Sequence, residues 1–536
     1  PGPASAAAAL GALGLILPAL LGAGAPGTGS DELQYHLRFV AELVHTGRFP
    51  AHLDDPLSGL AQGLHALLGL AHGLVGERAL RPMSLLLSLA GLWAGQRLTR
   101  RVGGATAALI YVPVALGAAS IIRFIPVVGT DTPLMLFVAC ALLLLVEQQA
   151  LRRPSDGRTA LVLGLLGGAA FSIKYTAALF FAPIWLAAAF LAWRRDLRTV
   201  GQVAASALLP LLFATPWLLK NVAMDAHPLL PLAGFTVPEG LEAAFRFNFR
   251  ENYGAGLGFA AWLRAPWDLF VLGTEFDRRH FLGRLSPWPL FALPFLLLAL
   301  RDRSVRLLAA VAVAGLALWA GPLCRVVYLL PIWPLLAGAT AAGLGLAVDA
   351  LPTRPRRTAG AVLGVILAGT AVGEVAVPWV DGLRSAAVAT GTQPADEWIE
   401  QEVESAAAWS WIREHVPTDE VITTVFTWQL LPTGHAQRWA CAEECPAVRL
   451  ELLKAGDADG AARRLASMGS RWLLVRQTRY PRDSYPGLTD EEFAAAYSRP
   501  LQILDELTTL RATLRFSDGL YAVYELPKRQ KTAGGS

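Results

Sequence analysis

Charged residues are scarce in this sequence. Only 16% of its 536 residues are Asp, Glu, Lys or Arg, while 54% are hydrophobic. Soluble domains carry about 25% charged residues, so this shortage excludes an ordinary soluble protein and indicates that lipid is the main solvent. The net charge is only +4, and nothing in the sequence resembles a nucleic-acid-binding surface.

Cysteine is also rare. The four cysteines are too few for a disulfide scaffold. Cys140 and Cys324 lie in or beside apolar runs, whereas Cys441 and Cys445 lie close together in the polar C-terminal part. In an oxidising compartment this second pair can form a small local disulfide. A metal site there lacks a second pair of ligands.

Long apolar runs are what the sequence has instead, between residue 5 and about residue 378. Many approach the roughly 20 residues needed to cross a bilayer. The first run, 5–23, ends in small residues as a signal peptide does, but the spans that follow favour a retained membrane helix. The predicted fold class is mainly α, a polytopic transmembrane helical bundle. Hydropathy predicts about eleven spans, the other ten centred near residues 90, 112, 140, 166, 184, 209, 292, 313, 336 and 368.

Arginine is concentrated in alternate short connections between these runs. Positively charged connections stay on the cytoplasmic side, so these five connections are predicted to face the cytoplasm. An odd number of spans puts the two ends of the chain on opposite sides, and the C-terminal part then lies outside the cytoplasm. The arginines, three to a connection, are Arg97, Arg100 and Arg101; Arg152, Arg153 and Arg158; Arg194, Arg195 and Arg198; Arg301, Arg303 and Arg306; and Arg354, Arg356 and Arg357.

The character of the sequence changes after about residue 378. Charges return and the apolar residues become periodic, which predicts a small extracytoplasmic α/β domain over 379–528. Residues 1–378 form the predicted membrane module, with external loops 24–78 and 219–283, and the polar tail 529–536 is predicted to be disordered. The predicted helices of the C-terminal domain are 397–415 and 461–468; its strands are 421–426, 471–475 and a hairpin of 514–516 and 520–524.

Two adjacent acids, Asp31 and Glu32, follow the first span, with Tyr35 and His36 just after them. Carboxylates at a membrane surface can take a proton from an attacking hydroxyl or hold a divalent cation. A structural alternative is that Ser30, Asp31 and Glu32 simply begin a helix, where carboxylates face the positive end of the dipole.

Further ionisable residues, with Asn221 beside one of them, are predicted on the same external side. Acids and bases that share one face can meet a phosphate and a hydroxyl there, although any single Lys or Arg near a helix end can also be a membrane anchor. These residues are Asp131 at the mouth of the fourth span, Lys174 and Tyr175 in an external turn, Lys220 and Asn221 at the end of the seventh span, and Arg325 and Tyr328 at the start of the tenth.

The order of these features resembles that of bacterial GT-C glycosyltransferases, including the protein O-mannosyltransferase and lipid A aminoarabinose transferase relatives. The resemblance covers about residues 5–375. It implies a protein of the bacterial inner membrane that moves a sugar from a polyprenyl-phosphate donor to a lipid, glycan or protein acceptor, with inversion at the anomeric carbon.

The resemblance also implies roles for individual residues. By position, Asp31 is the catalytic base, Glu32 lies beside it, and Asp131 is the second acid. A divalent metal such as Mg²⁺ or Mn²⁺, bound by these three acids, is compatible with the resemblance. Candidates to bind the donor phosphate are Lys174, Arg325, Tyr328 and Lys220, because fixed cations stabilise the charge left on the departing lipid phosphate.

The chain departs from the family pattern at two places. Ala226-His227-Pro228 replaces the more usual Gly-Asn-Pro, and Asp54-Asp55-Pro56 stands where relatives often have two prolines. Asp55 is either a further metal ligand or an ordinary loop acid. Two other functions stay open: a transporter or flippase of lipid-linked sugars, and a membrane sensor or scaffold. A transporter is expected to carry ionisable residues near the bilayer midplane, whereas here they gather at external ends.

The predicted orientation can be tested by protease access. Protease added to intact spheroplasts should cleave the 379–528 domain and leave the arginine-rich connections intact. The same protease added to inverted vesicles should show the opposite pattern. Full protection of the C-terminal domain in spheroplasts would overturn the topology.

Overall fold

The structure is a computed structural model. It describes residues 3–51, 56–150, 157–229, 258–274, 281–321, 325–425, 427, 436–438, 447–477, 482 and 488–527. The chain divides into two compact units, each built from segments that are distant in sequence. The first unit comprises 1–27, 61–219 and 253–393, and the second comprises 28–60, 220–252 and 394–536. Cys324, Cys441, Cys445, Asp55 and the tail 529–536 lie outside the described residues.

The first unit is helical. Its described α-helices are Pro3–Ala23, Gly63–Val75, Leu80–Leu116, Ala119–Phe124, Asp131–Ala150, Gly157–Ile173, Ala177–Trp193, Leu197–Ser206, Leu209–Ala223 (whose last turn enters the second unit), Phe259–Phe270, Trp288–Phe291, Leu293–Ala299, Arg303–Ala320, Trp333–Asp349, Thr353–Glu374 and Ala376–Ala389. Short 3₁₀ helices span Glu77–Ala79 and Val326–Ile332. Every predicted span centre lies in or beside one of these helices.

The helix Trp333–Asp349 is the central helix of this unit, since almost all of its side chains are buried. It packs against Leu80–Leu116 with the two backbones very close. A Cβ added at Gly103 would lie 2.9 Å from the Ala342 backbone, and one added at Gly345 would lie 2.7 Å from the Ala107 backbone. Small residues permit this approach, which is how membrane helices gain packing energy in the absence of a hydrophobic drive between them.

The helix Leu80–Leu116 is broken at Gly104 (φ 81°, ψ −168°), next to the predicted arginine-rich connection. This left-handed conformation suits glycine because it has no Cβ. The chain reverses direction at the break, since the Gln96 Nε2 donates to the Ala108 carbonyl oxygen at 3.2 Å across it. The segments before and after Gly104 therefore lie side by side.

Four described helical segments are long and apolar enough to cross a membrane: Asp131–Gln148, Leu197–Ala223, Arg303–Ala320 and Val326–Asp349. The helices Thr353–Glu374 and Ala376–Ala389, bent by 56°, form a fifth if they count as one span. Shorter apolar helices cover Ala9–Ala23, Gly63–Val75, Gly157–Ile173 and Ala177–Trp193. The number of about eleven spans therefore stays a prediction.

The second unit contains a five-stranded mixed sheet. Its strands are β1 Val421–Val425, β2 Ala436–Arg438, β3 Ser470–Arg476, β4 Thr513–Ser517 and β5 Tyr521–Glu525, in the order β2-β1-β3-β5-β4. β1 pairs in parallel with β2 and β3, and β5 pairs antiparallel with β3 and β4. The strands predicted at 421–426 and 471–475 and the terminal hairpin are thus present.

Helices pack on both faces of this sheet. One core cluster includes Leu452, Leu465, Leu473 and Leu504, and the other includes Trp409 and Ile422. The predicted helix 397–415 is interrupted at residues 403–405, where Val403 adopts an extended conformation. The α-helices of this unit are Leu37–Thr46, Ala395–Glu402, Ala406–His415, Ala447–Ala455, Ala458–Ser467, Asp490–Phe493 and Arg499–Leu510; π-helices span Glu32–His36 and Ala494–Ser498, and a 3₁₀ helix spans Pro56–Gly59.

A charge network joins the middle of the sheet to its edge. Arg471 on β3 donates to Glu420 and, at 2.8 Å, to Glu525 on β5. Arg515 on β4 donates to the same Glu525 carboxylate at 2.6 Å. Hydrogen bonds from Arg471 and then Arg515 hold the pKa of Glu525 below its ordinary value. In the unfolded chain the pKa of a glutamate is about 4.3. Because the pKa of Glu525 is lower in the folded state, this carboxylate stabilises the fold at pH values above about 4.3. That stabilisation is lost as the pH falls through the pKa of the folded state.

The Arg471→Met variant should loosen β3 and β5. Because Arg471 is partly exposed, we expect a local cost of about 1 kcal/mol at pH 7, measured as roughly fivefold faster amide hydrogen exchange in peptides from β3 and β5 of the full chain. The effect should shrink as the pH falls through the lowered pKa of Glu525, because the carboxylate then becomes protonated. The matched control is Arg413→Met, at an exposed arginine on Ala406–His415. Equal exchange in both variants would show that the network adds no stability.

Candidate functional site

An ion pair between Asp131 and Lys174 lies at the centre of the candidate site, within the first unit. The helix Asp131–Ala150 begins at this aspartate, and Lys174 follows directly after the helix Gly157–Ile173. The Lys174 Nζ donates to both carboxylate oxygens of Asp131, at 2.8 and 2.7 Å. Their side chains are only 13% and 10% exposed. The pair is therefore shielded from water. In such an environment each charge needs an opposite charge beside it.

Tyr328 brings a third predicted residue to this pair. The Lys174 Nζ lies 4.3 Å from the centroid of the Tyr328 ring, and the Arg325 guanidinium carbon lies 6.0 Å from the same centroid. Both distances fall within the cation–π range. Four residues predicted from sequence, Asp131, Lys174, Arg325 and Tyr328, are thus brought together. They form the cluster that we call the Lys174 cluster.

The backbone around Arg325 is held from two sides. The Trp319 Nε1 donates to the Arg325 carbonyl oxygen at 2.7 Å, and the Val326 amide donates to the Phe281 carbonyl oxygen at 2.9 Å. Phe281 and Trp319 also make an edge-to-face contact with centroids 5.2 Å apart. Arg325 itself is extended and precedes the 3₁₀ helix Val326–Ile332, which fixes the start of its side chain beside Tyr328.

The Lys174 cluster carries a formal charge of +1, from two cations and one carboxylate. Arginine can offer two parallel donors to an anion such as a phosphate, and the Lys174 ammonium adds a second cation beside the Asp131 carboxylate. Tyr175, next in the turn, is buried, and its hydroxyl has no hydrogen-bond partner among the described residues. The cluster is suited to hold one anionic group.

Asp31 and Glu32 lie in the second unit, at the start of a π-helix that spans Glu32–His36. Such π-turns are rare and are frequent at functional sites. Glu32 is fully buried, and its Oε2 accepts the Gly29 amide at 3.0 Å. This bond is of the kind that the structural alternative of a helix start predicts, and the role of Glu32 beside the base stays a prediction. Asp31 precedes it and is only partly buried.

Tyr35 and His36 follow in the same π-helix. Their ring centroids lie 4.0 Å apart, and Tyr35 also contacts the ring of Phe39 at 5.8 Å. His36 is buried. The π-helix thus carries an aromatic stack one turn beyond the two acids.

Lys220 and Asn221 hold a loop of the second unit. The Lys220 Nζ donates to the carbonyl oxygens of Ser58 and, at 3.4 Å each, of Pro50 and Leu60. The Asn221 Nδ2 donates to the Gly59 carbonyl oxygen at 3.0 Å. In this structure the ammonium predicted to bind a phosphate is engaged by these backbone carbonyls. Its predicted role at the donor stays a prediction.

No group of three His, Cys, Asp or Glu side chains among the described residues could hold a metal ion. Both Asp131 oxygens accept from Lys174, and Glu32 accepts from a backbone amide. These acids, as they are bonded here, do not form a ligand set within either unit. The predicted divalent metal stays a prediction.

Sequence reasoning missed the residues that position the site. Trp319 has no motif around it that predicts a bond to the Arg325 carbonyl. Trp217, noted only as part of a span end, donates its Nε1 to the Ser172 hydroxyl at 3.1 Å and ties two helices together just before the Lys174 turn. Both contacts join residues whose pairing depends on the tertiary fold.

Comparison with known proteins places this geometry in context. The family model described as dolichyl-phosphate-mannose-protein mannosyltransferase matches residues 63–219, the stretch that contains Asp131 and Lys174. The chain has the GT-C fold. The GT-C resemblance predicted from the sequence is thereby confirmed. No curated protein matches the sequence significantly.

Solved GT-C structures match nearly the whole chain at low identity. ArnT from Cupriavidus metallidurans, bound to undecaprenyl phosphate, is 15% identical with a TM-score of 0.60 and covers 97% of each chain. The oligosaccharyltransferase AglB from Archaeoglobus fulgidus matches in two structures that cover 96% of this chain. One contains an inhibitory peptide and a dolichol-phosphate (11% identity, 74% of that chain, TM-score 0.50). The other contains Zn and sulfate (13% identity, 73% of that chain, TM-score 0.53).

The Lys174→Met variant should be strongly destabilised. It leaves the Asp131 carboxylate buried without its cation, which costs about 3 kcal/mol for such pairs. Thermal unfolding of the purified protein in detergent should show a lowered midpoint. The double variant Lys174→Met with Asp131→Asn should recover much of the loss because the buried charge is gone. An unchanged midpoint for Lys174→Met alone would mean that the pair is not buried in the folded protein.

Proposed function

We propose that this chain is a membrane glycosyltransferase that moves a sugar from a polyprenyl-phosphate donor to an acceptor on the extracytoplasmic face. The observation that carries the proposal is the Lys174 cluster, four residues predicted from sequence that converge within a GT-C fold. A net positive cluster beside membrane helices is what a phosphate on a long lipid requires. The undecaprenyl phosphate bound to ArnT and the dolichol-phosphate bound to AglB support a donor of this class.

In this proposal the donor phosphate lies against Arg325. Its guanidinium fork can hold two phosphate oxygens. Lys174 adds a second cation, which Asp131 holds in place. Both cations lie within cation–π distance of the Tyr328 ring. Asp131 is then a positioning residue rather than the base.

Asp31 is the proposed base. The acceptor hydroxyl or amine gives its proton to the Asp31 carboxylate, and its lone pair forms a bond to the anomeric carbon. The bond from that carbon to the phosphate oxygen breaks, and its electron pair leaves on the polyprenyl phosphate. Direct displacement from the opposite face inverts the anomeric carbon. The buried, capped Glu32 fixes the helix start that presents Asp31.

The location in the proposal follows the charge pattern. The arginine-rich connections face the cytoplasm of a bacterial cell, and the 379–528 domain lies outside with the reacting groups. That domain then acts near the acceptor. The acceptor is a lipid, a glycan or a protein.

The Asp31→Asn variant tests the proposed base. We expect transfer from polyprenyl-phosphate-sugar to fall at least about 100-fold, the usual contribution of general base catalysis, with the folded protein otherwise intact. The measure is initial rate with radiolabelled donor in proteoliposomes, after unfolding midpoints have been matched. Glu77→Gln, at an exposed acid in a 3₁₀ turn, is the control and should keep the wild-type rate. A wild-type rate in Asp31→Asn would remove Asp31 as base.

The same assay includes the Arg325→Gln variant. The variant lacks the guanidinium that can bind two phosphate oxygens. It should therefore raise the KM for the polyprenyl-phosphate-sugar about tenfold or more and leave the KM for the acceptor nearly unchanged. Equal changes in both constants would refute the assignment of Arg325 to the donor phosphate.

A further inference from the structure

Glu374 is a buried acid that does not belong to the Lys174 cluster. It is the last residue of the helix Thr353–Glu374, at the break beyond which the helix Ala376–Ala389 is bent by 56°. Its side chain is only 10% exposed. A carboxylate that loses most of its hydration costs free energy unless an opposite charge lies beside it. The position of Glu374 therefore depends on a cation.

Arg284 is that cation. Its Nη2 donates to the Glu374 Oε1 at 2.8 Å, and its Nε lies 2.5 Å from the Oε2. This two-point contact is typical of an arginine–carboxylate pair. Nearby, the Trp288 Nε1 donates to the Thr370 hydroxyl at 3.0 Å. Thr370 and Glu374 are four residues apart and share a helix face. The 281–288 segment is thus attached to this helix at two points.

The backbone of the same segment is bonded to a second helix. The Ser120 amide donates to the Arg284 carbonyl oxygen at 3.1 Å, and the Arg284 amide donates to the Ser120 hydroxyl at 2.8 Å. Ser120 is fully buried in the short helix Ala119–Phe124. Arg284 is therefore held at its side chain and at both of its backbone groups.

The other end of the 281–288 segment holds the backbone next to Arg325. The Val326 amide donates to the Phe281 carbonyl oxygen at 2.9 Å. Gly283 lies against the same residue, since a Cβ added there would overlap the Val326 side chain. Phe281 and Arg284 are close in the chain, so a shift of Arg284 is transmitted to the start of the Arg325 side chain.

Two residues of the segment have strained backbones. Phe281 (φ 68°) and Leu282 (φ 51°) both adopt the left-handed conformation, which is rare for bulky side chains. Such a conformation costs free energy and persists only where the surrounding contacts fix it. Without the Arg284–Glu374 pair, these two residues can relax toward ordinary backbone angles. The bond from the Val326 amide is then weakened.

We propose that Arg284 and Glu374 are positioning residues for the donor phosphate, because they fix the 281–288 segment that holds the backbone at Arg325. This inference rests on the proposed function, in which Arg325 binds the phosphate. Neither Arg284 nor Glu374 contacts the reacting atoms. Loss of the pair leaves the Arg325 guanidinium present but less often directed at the phosphate. Donor binding is therefore weakened while acceptor binding is spared.

Steady-state kinetics of the full chain in proteoliposomes separates this role from general stability. In Arg284→Met we expect the KM for polyprenyl-phosphate-sugar to rise about fivefold, with kcat and the KM for the acceptor nearly unchanged. The matched control is Arg356→Met, on the first turns of the same helix, where Arg356 is 45% exposed and lies 3.8 Å from Asp349. It should keep the wild-type constants. Equal changes in the KM for donor and acceptor would overturn the proposal.

A double-mutant cycle with Arg325→Gln tests whether the pair acts through Arg325. Because Arg325→Gln removes the guanidinium, Arg284→Met should cause no further rise in the donor KM in that background. Additive rises would overturn the proposal. A raised donor KM in Arg325→Gln with a wild-type value in Arg284→Met would also overturn it and would leave the proposed donor site intact. A wild-type donor KM in Arg325→Gln would instead refute that donor site.

Hydrogen exchange of the full chain tests the segment without substrate. In Arg284→Met, peptides that cover Val326–Ile332 should exchange about fivefold faster than in the wild type, and Arg356→Met should leave them unchanged. Unchanged exchange in folded Arg284→Met would overturn the inference. If Arg284→Met fails to fold, the double variant Arg284→Met with Glu374→Gln, which leaves no charge of the pair buried, replaces it in all three measurements.

Discussion

Asp131 and Lys174 place two opposite charges almost out of contact with water at the ends of two membrane helices. A single charge at this position would be expelled or neutralised, because desolvation of an ion costs several kcal/mol. Two charges in contact can stay, provided that their hydrogen-bonding groups are satisfied. The ammonium donates to both carboxylate oxygens, so each partner explains the presence of the other.

The pair in turn depends on close helix packing. Tyr328 can lie 4.3 Å from the Lys174 ammonium only if the 3₁₀ helix that carries it is held in place. That helix leads directly into the buried central helix Trp333–Asp349, whose backbone approaches Leu80–Leu116 at Gly103 and Gly345. Larger residues at these two glycines would push the backbones apart. The geometry of a charged cluster is thus set by residues that carry no charge.

Part of this architecture follows from the sequence alone. Hydropathy locates helices because lipid requires runs of apolar residues. The pattern of apolar residues at 421–426 and 471–475 predicts strands. The Lys174 turn and the start of a helix at Asp131 also follow from their positions at the ends of apolar runs. The convergence of Asp131, Lys174, Arg325 and Tyr328 was predicted only as a shared side of the membrane.

Other features depend on partners that sequence does not reveal. Lys220 and Lys174 look alike as cations at span ends, yet one binds backbone carbonyls and the other binds a carboxylate. Glu32 has the spacing of a catalytic acid, but its carboxylate caps a backbone amide three residues earlier. For Lys220 and Glu32 the partner is a backbone group, and backbone groups are the same for every sequence.

The Asp131 carboxylate also has a consequence for turnover under the proposed reaction. The donor is a phosphate diester with one negative charge, while the product is a monoester whose second ionisation has a pKa near 6. A cluster with two unopposed cations would bind the more negative product more tightly than the donor and slow its release. By neutralising one cation, Asp131 keeps the cluster at a formal charge of +1, which is matched to the donor. The acid beside the phosphate therefore favours turnover, because it limits how strongly the product is retained.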